Sequence, residues 1–237
     1  MVSRSPEIIV ALDLPDVAEV QRVVEQLPES IRWYKVGLEL FTAVGPAVLE
    51  PLRARGKHIF LDLKLHDIPN TVAGAIRSIL PHQVDLLTVH ALGGRAMLAA
   101  AAEAARQGSG VVPRLVAVTT LTSLDQNDLT TLGITRTVPD QALALSRLAL
   151  GCGIDGVVCS AQEAGKLRSA LGPQPLLVTP GIRLPGEATG DQRRVATPSQ
   201  AVRDGADFLV VGRSLLNAPA PVAMAEQLLA QLNPADG

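Results

Sequence analysis

From one end of the chain to the other, short apolar runs rich in β-branched residues alternate with longer stretches whose apolar positions recur every three to four residues. The short runs predict strands at residues 8–12, 33–38, 58–64, 86–90, 114–119, 156–159, 176–179 and 208–211. The longer stretches predict helices at residues 17–26, 42–53, 71–80, 95–106, 139–150, 161–170, 198–204 and 222–231. Strands each followed by a helix, joined mostly by short turns, imply parallel pairing. The economical α/β architecture is a single-domain (β/α)8 barrel occupying residues 1–237. A doubly wound open sheet is the runner-up, but no G-x-G-x-x-G follows the first strand.

No linker rich in Pro, Gly or Ser divides the chain. The longest irregular segment, 183–197, is polar and contains Pro185, Gly186 and Gly190. Irregular loops of that length in compact domains are commonly lids or binding loops. A second insertion, 123–136, follows the fifth strand. Because chemistry in such barrels sits at the carboxyl ends of the strands, those ends are where function is to be read.

Strand one ends in Asp13, strand two carries Lys35, and strand three runs through Asp62 and Lys64 to Asp67. Asp62 and Lys64 are two apart, so regular strand alternation places them on one side of the pleat. Ionisable groups of alternating sign converging on one barrel mouth must be paired, and such clusters mark active sites. The pairing also selects the chemistry. A Schiff-base lysine needs an apolar or cationic setting, whereas Lys64 lies among carboxylates. It is read as a general acid or electrostatic anchor.

The last two strands offer a second constellation. Thr179-Pro180-Gly181-Ile182-Arg183 closes strand seven, and Val211-Gly212-Arg213-Ser214 closes strand eight and opens a helix. Glycines, an arginine and a helix N-terminus suit a phosphate dianion, and these loops are the usual phosphate site of the fold. His66 and His90 have no partner at metal-ligand spacing and are read as structural. Cys152 and Cys159 have no motif context and are read as small apolar packing residues.

Composition narrows the class further. The net charge of −2 and 2% aromatic content argue against nucleic-acid binding. Two cysteines cannot form a disulfide framework and fit a reducing compartment. The apolar run 8–12 is too short for a secretory signal, and the longest uncharged stretch, 169–182, falls short of a membrane span. A soluble, cytoplasmic protein with no membrane partner is therefore expected. Of the 21 basic residues only Lys35, Lys57, Lys64 and Lys166 are lysines, and two of these lie on apolar strands. Lys, unlike Arg, can give up its proton during a reaction.

The run Asp62-Leu-Lys64-Leu-His-Asp67-Ile68-Pro69-Asn70-Thr71-Val72 closely resembles the signature of the orotidine 5′-phosphate decarboxylase family. Supporting matches span nearly the whole chain: Ala-Leu-Asp13, Lys35-Val-Gly, the Leu-Thr122-Ser segment, Pro180-Gly-Ile-Arg183, Gly190-Asp-Gln192 and Val211-Gly-Arg213. The D-x-K-x-x-D core alone is shared with sugar-phosphate relatives; the Ile-Pro-Asn-Thr extension and the Gly-Asp-Gln segment are more specific. The resemblance implies decarboxylation of orotidine 5′-monophosphate to UMP by a homodimer that needs neither cofactor nor metal. It implies that Lys64 protonates C6 of the pyrimidine, that Asp62 faces the departing carboxylate, and that Asp67 enters the neighbouring subunit's site. It assigns Asp13 and Lys35 to the ribose, Thr71 and Thr122 to the nucleotide, and Gln192 to the lid. Arg183, Gly212 and Arg213 would bind the phosphate region. The competing readings are a metal-dependent sugar-phosphate decarboxylase or aldolase on the same core and a catalytically silent nucleotide-phosphate-binding barrel.

Overall fold

The computed structural model describes residues 5–184 and 195–232. Strands β1 (Glu7–Ala11), β2 (Trp33–Gly37), β3 (His58–Leu65), β4 (Leu86–His90), β5 (Arg114–Val118), β6 (Gly156–Val158), β7 (Leu176–Thr179) and β8 (Phe208–Val211) follow one another around a closed parallel barrel. β8 pairs back onto β1 from Glu7↔Phe208 to Val10↔Val211. The expected TIM barrel is therefore the fold. Among the described residues, no helix is long and apolar enough to cross a membrane.

The surrounding helices are α1 (Val17–Gln26), α2 (Leu38–Val44), α3 (Glu50–Ala54), α4 (Pro69–Ile79), α5 (Gly94–Arg106), α6 (Gln126–Thr131), α7 (Val138–Leu150), α8 (Ala161–Leu171), α9 (Pro198–Arg203), α10 (Arg213–Leu216) and α11 (Pro221–Ala230). Caps set several of their starts. Asp16 accepts the Glu19 N–H at the head of α1, and Thr137 and Thr197 do the same for α7 and α9.

Two expectations need correction. The helix expected over 42–53 is three pieces: α2, a 3-10 segment at Gly45–Leu49, and α3. Gly45, at φ +73°, ends the first piece, and Pro46 and Pro51 each open the next because they lack the N–H a helix interior needs. The insertion at 123–136 contains α6, a helix absent from the expected set. Its capping box is built from Asp125 and Asp128, each accepting the other's backbone N–H.

The period-two pattern of the strands divides the interior into two layers. Ile9, Trp33, Phe60, Leu86, Val116, Leu176 and Phe208 belong to one apolar cluster built from strand residues, which fills the barrel. Their alternates, such as Ile8, Tyr34, Ile59 and Leu87, join Val20, Val24, Ile76 and Leu98 of the helices in a larger cluster outside it. At the N-terminal end, Trp33 stacks on His58 at 4.6 Å and meets Phe208 edge-on at 4.8 Å. Asp85, Asp155 and Asp207 stand just before β4, β6 and β8. Each carboxylate accepts a backbone N–H from the strand before it: Ile59 at 2.8 Å, Leu115 at 2.7 Å and Leu177 at 2.8 Å. Arg168 ties the last of these to the chain, holding Asp207 at 2.8 Å and donating to the carbonyls of Gly172, Pro175 and Gly205.

Candidate active site

Following the inward-facing positions upward along each strand, the barrel changes from apolar to polar. Trp33 gives way to Lys35, Phe60 to Asp62, Leu86 to Thr88, and Ile9 and Ala11 to Asp13. Above this boundary a cavity of about 250 Å³ opens at the C-terminal mouth, floored by Ala11, Phe60, Val158 and Val210.

On one side of the cavity the charged groups form a chain. Lys35 Nζ lies 3.2 Å from Asp13 Oδ1 and 3.6 Å from Asp62 Oδ2, and Lys64 Nζ lies 2.9 Å from that same Asp62 oxygen. The Asp62 and Lys35 side chains are only 11% and 13% exposed, so each relies on its partners in place of water. Gly37 makes room for this arrangement, since a Cβ there would sit 2.9 Å from Lys35 Nζ.

Lys64 reaches Asp62 by a route that strand alternation does not describe. Its φ is +49°, and the register against β4 slips between the pairs Leu61↔Leu87 and Leu65↔Val89. Two extra residues of β3 are accommodated there, and the bulge re-aims the lysine. A left-handed non-glycine residue costs about 1–3 kcal/mol and persists only where its surroundings enforce it. Thr88, absent from the sequence-based list, supplies part of that enforcement. It is fully buried; its Oγ1 accepts the Lys64 N–H at 2.7 Å and donates to Asp62 Oδ1 at 3.0 Å. A lone threonine in an apolar strand belongs to no motif. The inward register of Leu86, two residues earlier, could have pointed to it.

The other side of the cavity is made by the β7 and β8 connections: Pro180, Gly181, Arg183, Gly212 and Arg213, with Thr122 after β5. The Arg183 and Ala196 backbones hydrogen-bond across the base of the β7 loop, Arg183 N to Ala196 O at 3.0 Å. Arg183 Nε and Thr120 Oγ1 are buried polar atoms of the cavity wall with no hydrogen-bond partner among the described residues. Such groups are normally satisfied, which suits a polar ligand between them. Cys159 also lines the wall, in addition to packing as a buried residue.

Asp13, Lys35, Asp62, Lys64, Thr122, Arg183, Gly212 and Arg213 are thus gathered around one cavity. Asp67 and Thr71 are not: both are exposed, beyond the cavity wall, and Asp67 Oδ1 accepts the Ile68 N–H. Gln192, with most of the 183–197 segment, lies outside the described residues. His66 and His90 stack on one another at 5.1 Å. Burial first, then the neighbouring His66 and Lys64, hold the His90 imidazole below its ordinary pKa. Among the described residues, no group of three or more His, Cys, Asp and Glu side chains is arranged to hold a metal ion.

Residues 6–228 match the family described as "Orotidine 5′-phosphate decarboxylase / HUMPS family". Orotidine 5′-phosphate decarboxylase of Moorella thermoacetica is 48% identical over 231 residues, covering 95% of this chain and 92% of that protein. The protein of the same name from Nitrosospira multiformis is 49% identical over 223 residues, covering 94% and 92%. Among solved structures, orotidine 5′-phosphate decarboxylase from Lactobacillus acidophilus superposes with a TM-score of 0.86 at 37% identity, covering 98% of this chain and all of that one.

Proposed function

The chain belongs to the orotidine 5′-phosphate decarboxylase / HUMPS family, and we propose that it is a carboxy-lyase converting orotidine 5′-monophosphate to UMP and CO₂, the last step of de novo UMP synthesis. The observation that carries this reading is the Asp13–Lys35–Asp62–Lys64 charge chain facing Arg183 and Arg213 across one cavity. A substrate with a carboxylate at one end and a phosphate at the other matches both sides.

Loss of CO₂ from C6 leaves an electron pair in an sp² orbital orthogonal to the ring π system, where delocalisation is poor. A fixed ammonium stabilises such charge as it develops and then quenches it by giving up a proton. Lys64 fills that role, with Asp62 facing the departing carboxylate. Asp13 and Lys35 hold the ribose hydroxyls. Thr122 contacts the nucleotide, and Gln192 helps close the lid. Arg183, Gly212 and Arg213 grip the phosphate, whose binding energy, remote from the reacting bond, is expressed at the transition state. In this proposal residues 1–237 form one catalytic domain working in the cytoplasm.

The proposal includes a homodimer in which Asp67 serves the neighbouring site and Thr71 contacts a nucleotide. Support comes from the position of both residues outside their own chain's cavity and from the rim beside them. Leu38, Ile68, Leu92 and Leu121, on the connections after β2, β3, β4 and β5, are 53%, 67%, 48% and 37% exposed. A run of exposed apolar side chains on successive loops marks an interaction surface.

The test is the loss of orotidine 5′-monophosphate absorbance on adding purified protein in the presence of a chelator. Turnover is expected to survive chelation. A requirement for added Mg²⁺, or turnover of a sugar phosphate in place of the nucleotide, would return the chain to the sugar-phosphate reading. Binding without turnover would identify a silent barrel.

A further inference from the structure

We propose that Thr88 is a positioning residue for the decarboxylation, its hydroxyl holding both the backbone of Lys64 and the carboxylate of Asp62 in the geometry the reaction needs. The inference rests on the reading of Lys64 and Asp62 as the reacting pair.

The hydrogen-bond directions admit one arrangement. The Lys64 N–H can only donate and the Asp62 carboxylate can only accept, so the Thr88 hydroxyl must receive from the first, at 2.7 Å, and give its proton to the second, at 3.0 Å. The consequence falls on the two Asp62 oxygens. Oδ1 is occupied by Thr88, which turns Oδ2 toward both ammonium groups, Lys64 at 2.9 Å and Lys35 at 3.6 Å. The other contact pins the residue at φ +49°, in the bulge that brings Lys64 back over the cavity. One hydroxyl therefore sets the direction of the carboxylate and the stem of the proton donor together. A β-branched residue suits the task, because χ1 is stiff. Thr119 and Ser146, equally buried, direct their hydroxyls to backbone carbonyls, Val158 at 3.0 Å and Ala142 at 2.8 Å, and neither bond reaches Lys64 or Asp62.

The experiment compares Thr88→Ser, Thr88→Ala and Thr88→Val once the wild-type protein has been shown to turn over orotidine 5′-monophosphate. Failure at that first step would fall on the proposed function, not on Thr88. Ser and Ala both lack the methyl group and differ in the hydroxyl; Val keeps the shape and loses the hydroxyl. For each variant kcat, KM, the Kd for UMP and the thermal midpoint are measured. Removing the hydroxyl should lower kcat by about 10- to 100-fold, the scale of a misplacement of about 1 Å at a reacting centre, while UMP affinity stays close to wild type. Thr88→Ser should retain most of kcat even if its midpoint falls. Should Thr88→Val not fold, the Ser and Ala pair decides alone. Equal kcat for Ser and Ala, or a kcat loss matched by an equal loss of UMP affinity, overturns the proposal in favour of packing.

Discussion

Carboxylates stand at both ends of the barrel, and their partners differ. At the N-terminal rim, Asp85, Asp155 and Asp207 accept backbone N–H groups of neighbouring strands, and Arg168 completes the last of these sites. At the C-terminal mouth, Asp13 and Asp62 are paired with the ammonium groups of Lys35 and Lys64. The first set closes hydrogen bonds that the strands would otherwise leave open, and contributes to stability. The second sets a chain of charges beside the cavity, and in the proposed function it serves the reaction. The two sets differ in what the carboxylates face: strand amides at the rim, two lysines and an open cavity at the mouth. The two ends should accordingly separate in experiment, the mouth in kcat and the rim in folding.

The largest effect is expected at the mouth. Lys64→Ala removes the proposed proton donor and should lower kcat by ~10³-fold or more, as should Asp67→Ala if it completes the neighbouring site. Mixing the two inactive homodimers under subunit exchange tests the sharing directly. Random pairing places about half of the dimers in the hybrid state, each with one intact site, so activity should return to about a quarter of wild type. Confirmed exchange without recovery would assign Asp67 to its own chain.

Next in size is Arg213→Ala, which should weaken kcat/KM by about 2–3 kcal/mol, roughly 10²-fold. On the nucleoside lacking the phosphate the variant and wild type should differ little. Equal losses on both substrates would remove Arg213 from the phosphate grip.

At the rim, Asp207→Ala leaves the Leu177 N–H and Arg168 without their shared carboxylate. Denaturant unfolding should show a loss of about 2–4 kcal/mol, with kcat of the folded fraction unchanged. A large drop in kcat at unaltered stability would erase the contrast between the two ends.

The smallest effect concerns pH. Because burial and the neighbouring His66 and Lys64 depress the His90 pKa in the folded chain, the unfolded chain takes up that proton first as the pH falls. The contribution to stability is complete above the ordinary imidazole value of about 6.5 and declines below it until the folded pKa is passed. His90→Gln should flatten the slope of thermal midpoint against pH in that window. An unchanged slope would show that His90 does not carry it.

The order of elements, the closed parallel barrel and most strand limits were legible in the periodicity of apolar residues, because burial on both faces of each strand imposes it. The charged mouth was legible as well, since Lys35, Asp62 and Lys64 interrupt otherwise apolar strands and Asp13 follows another. Helix continuity over 42–53 was misread, although Gly45, Pro46 and Pro51 mark the breaks in the sequence itself. α6 was missed because its box uses Asp128 where Glu or Gln is usual.

What the sequence determined by itself is the set of groups brought to the barrel mouth: the period-two alternation of side-chain direction along a strand selects which of them face inward, whatever their detailed contacts. The alignment of those groups belongs to the tertiary structure. Lys64 meets Asp62 through a left-handed residue, a register slip and a hydroxyl from the next strand, 24 residues along the chain. Local spacing cannot specify that geometry, because the hydrogen bond that enforces the strained backbone forms only after β3 and β4 have paired.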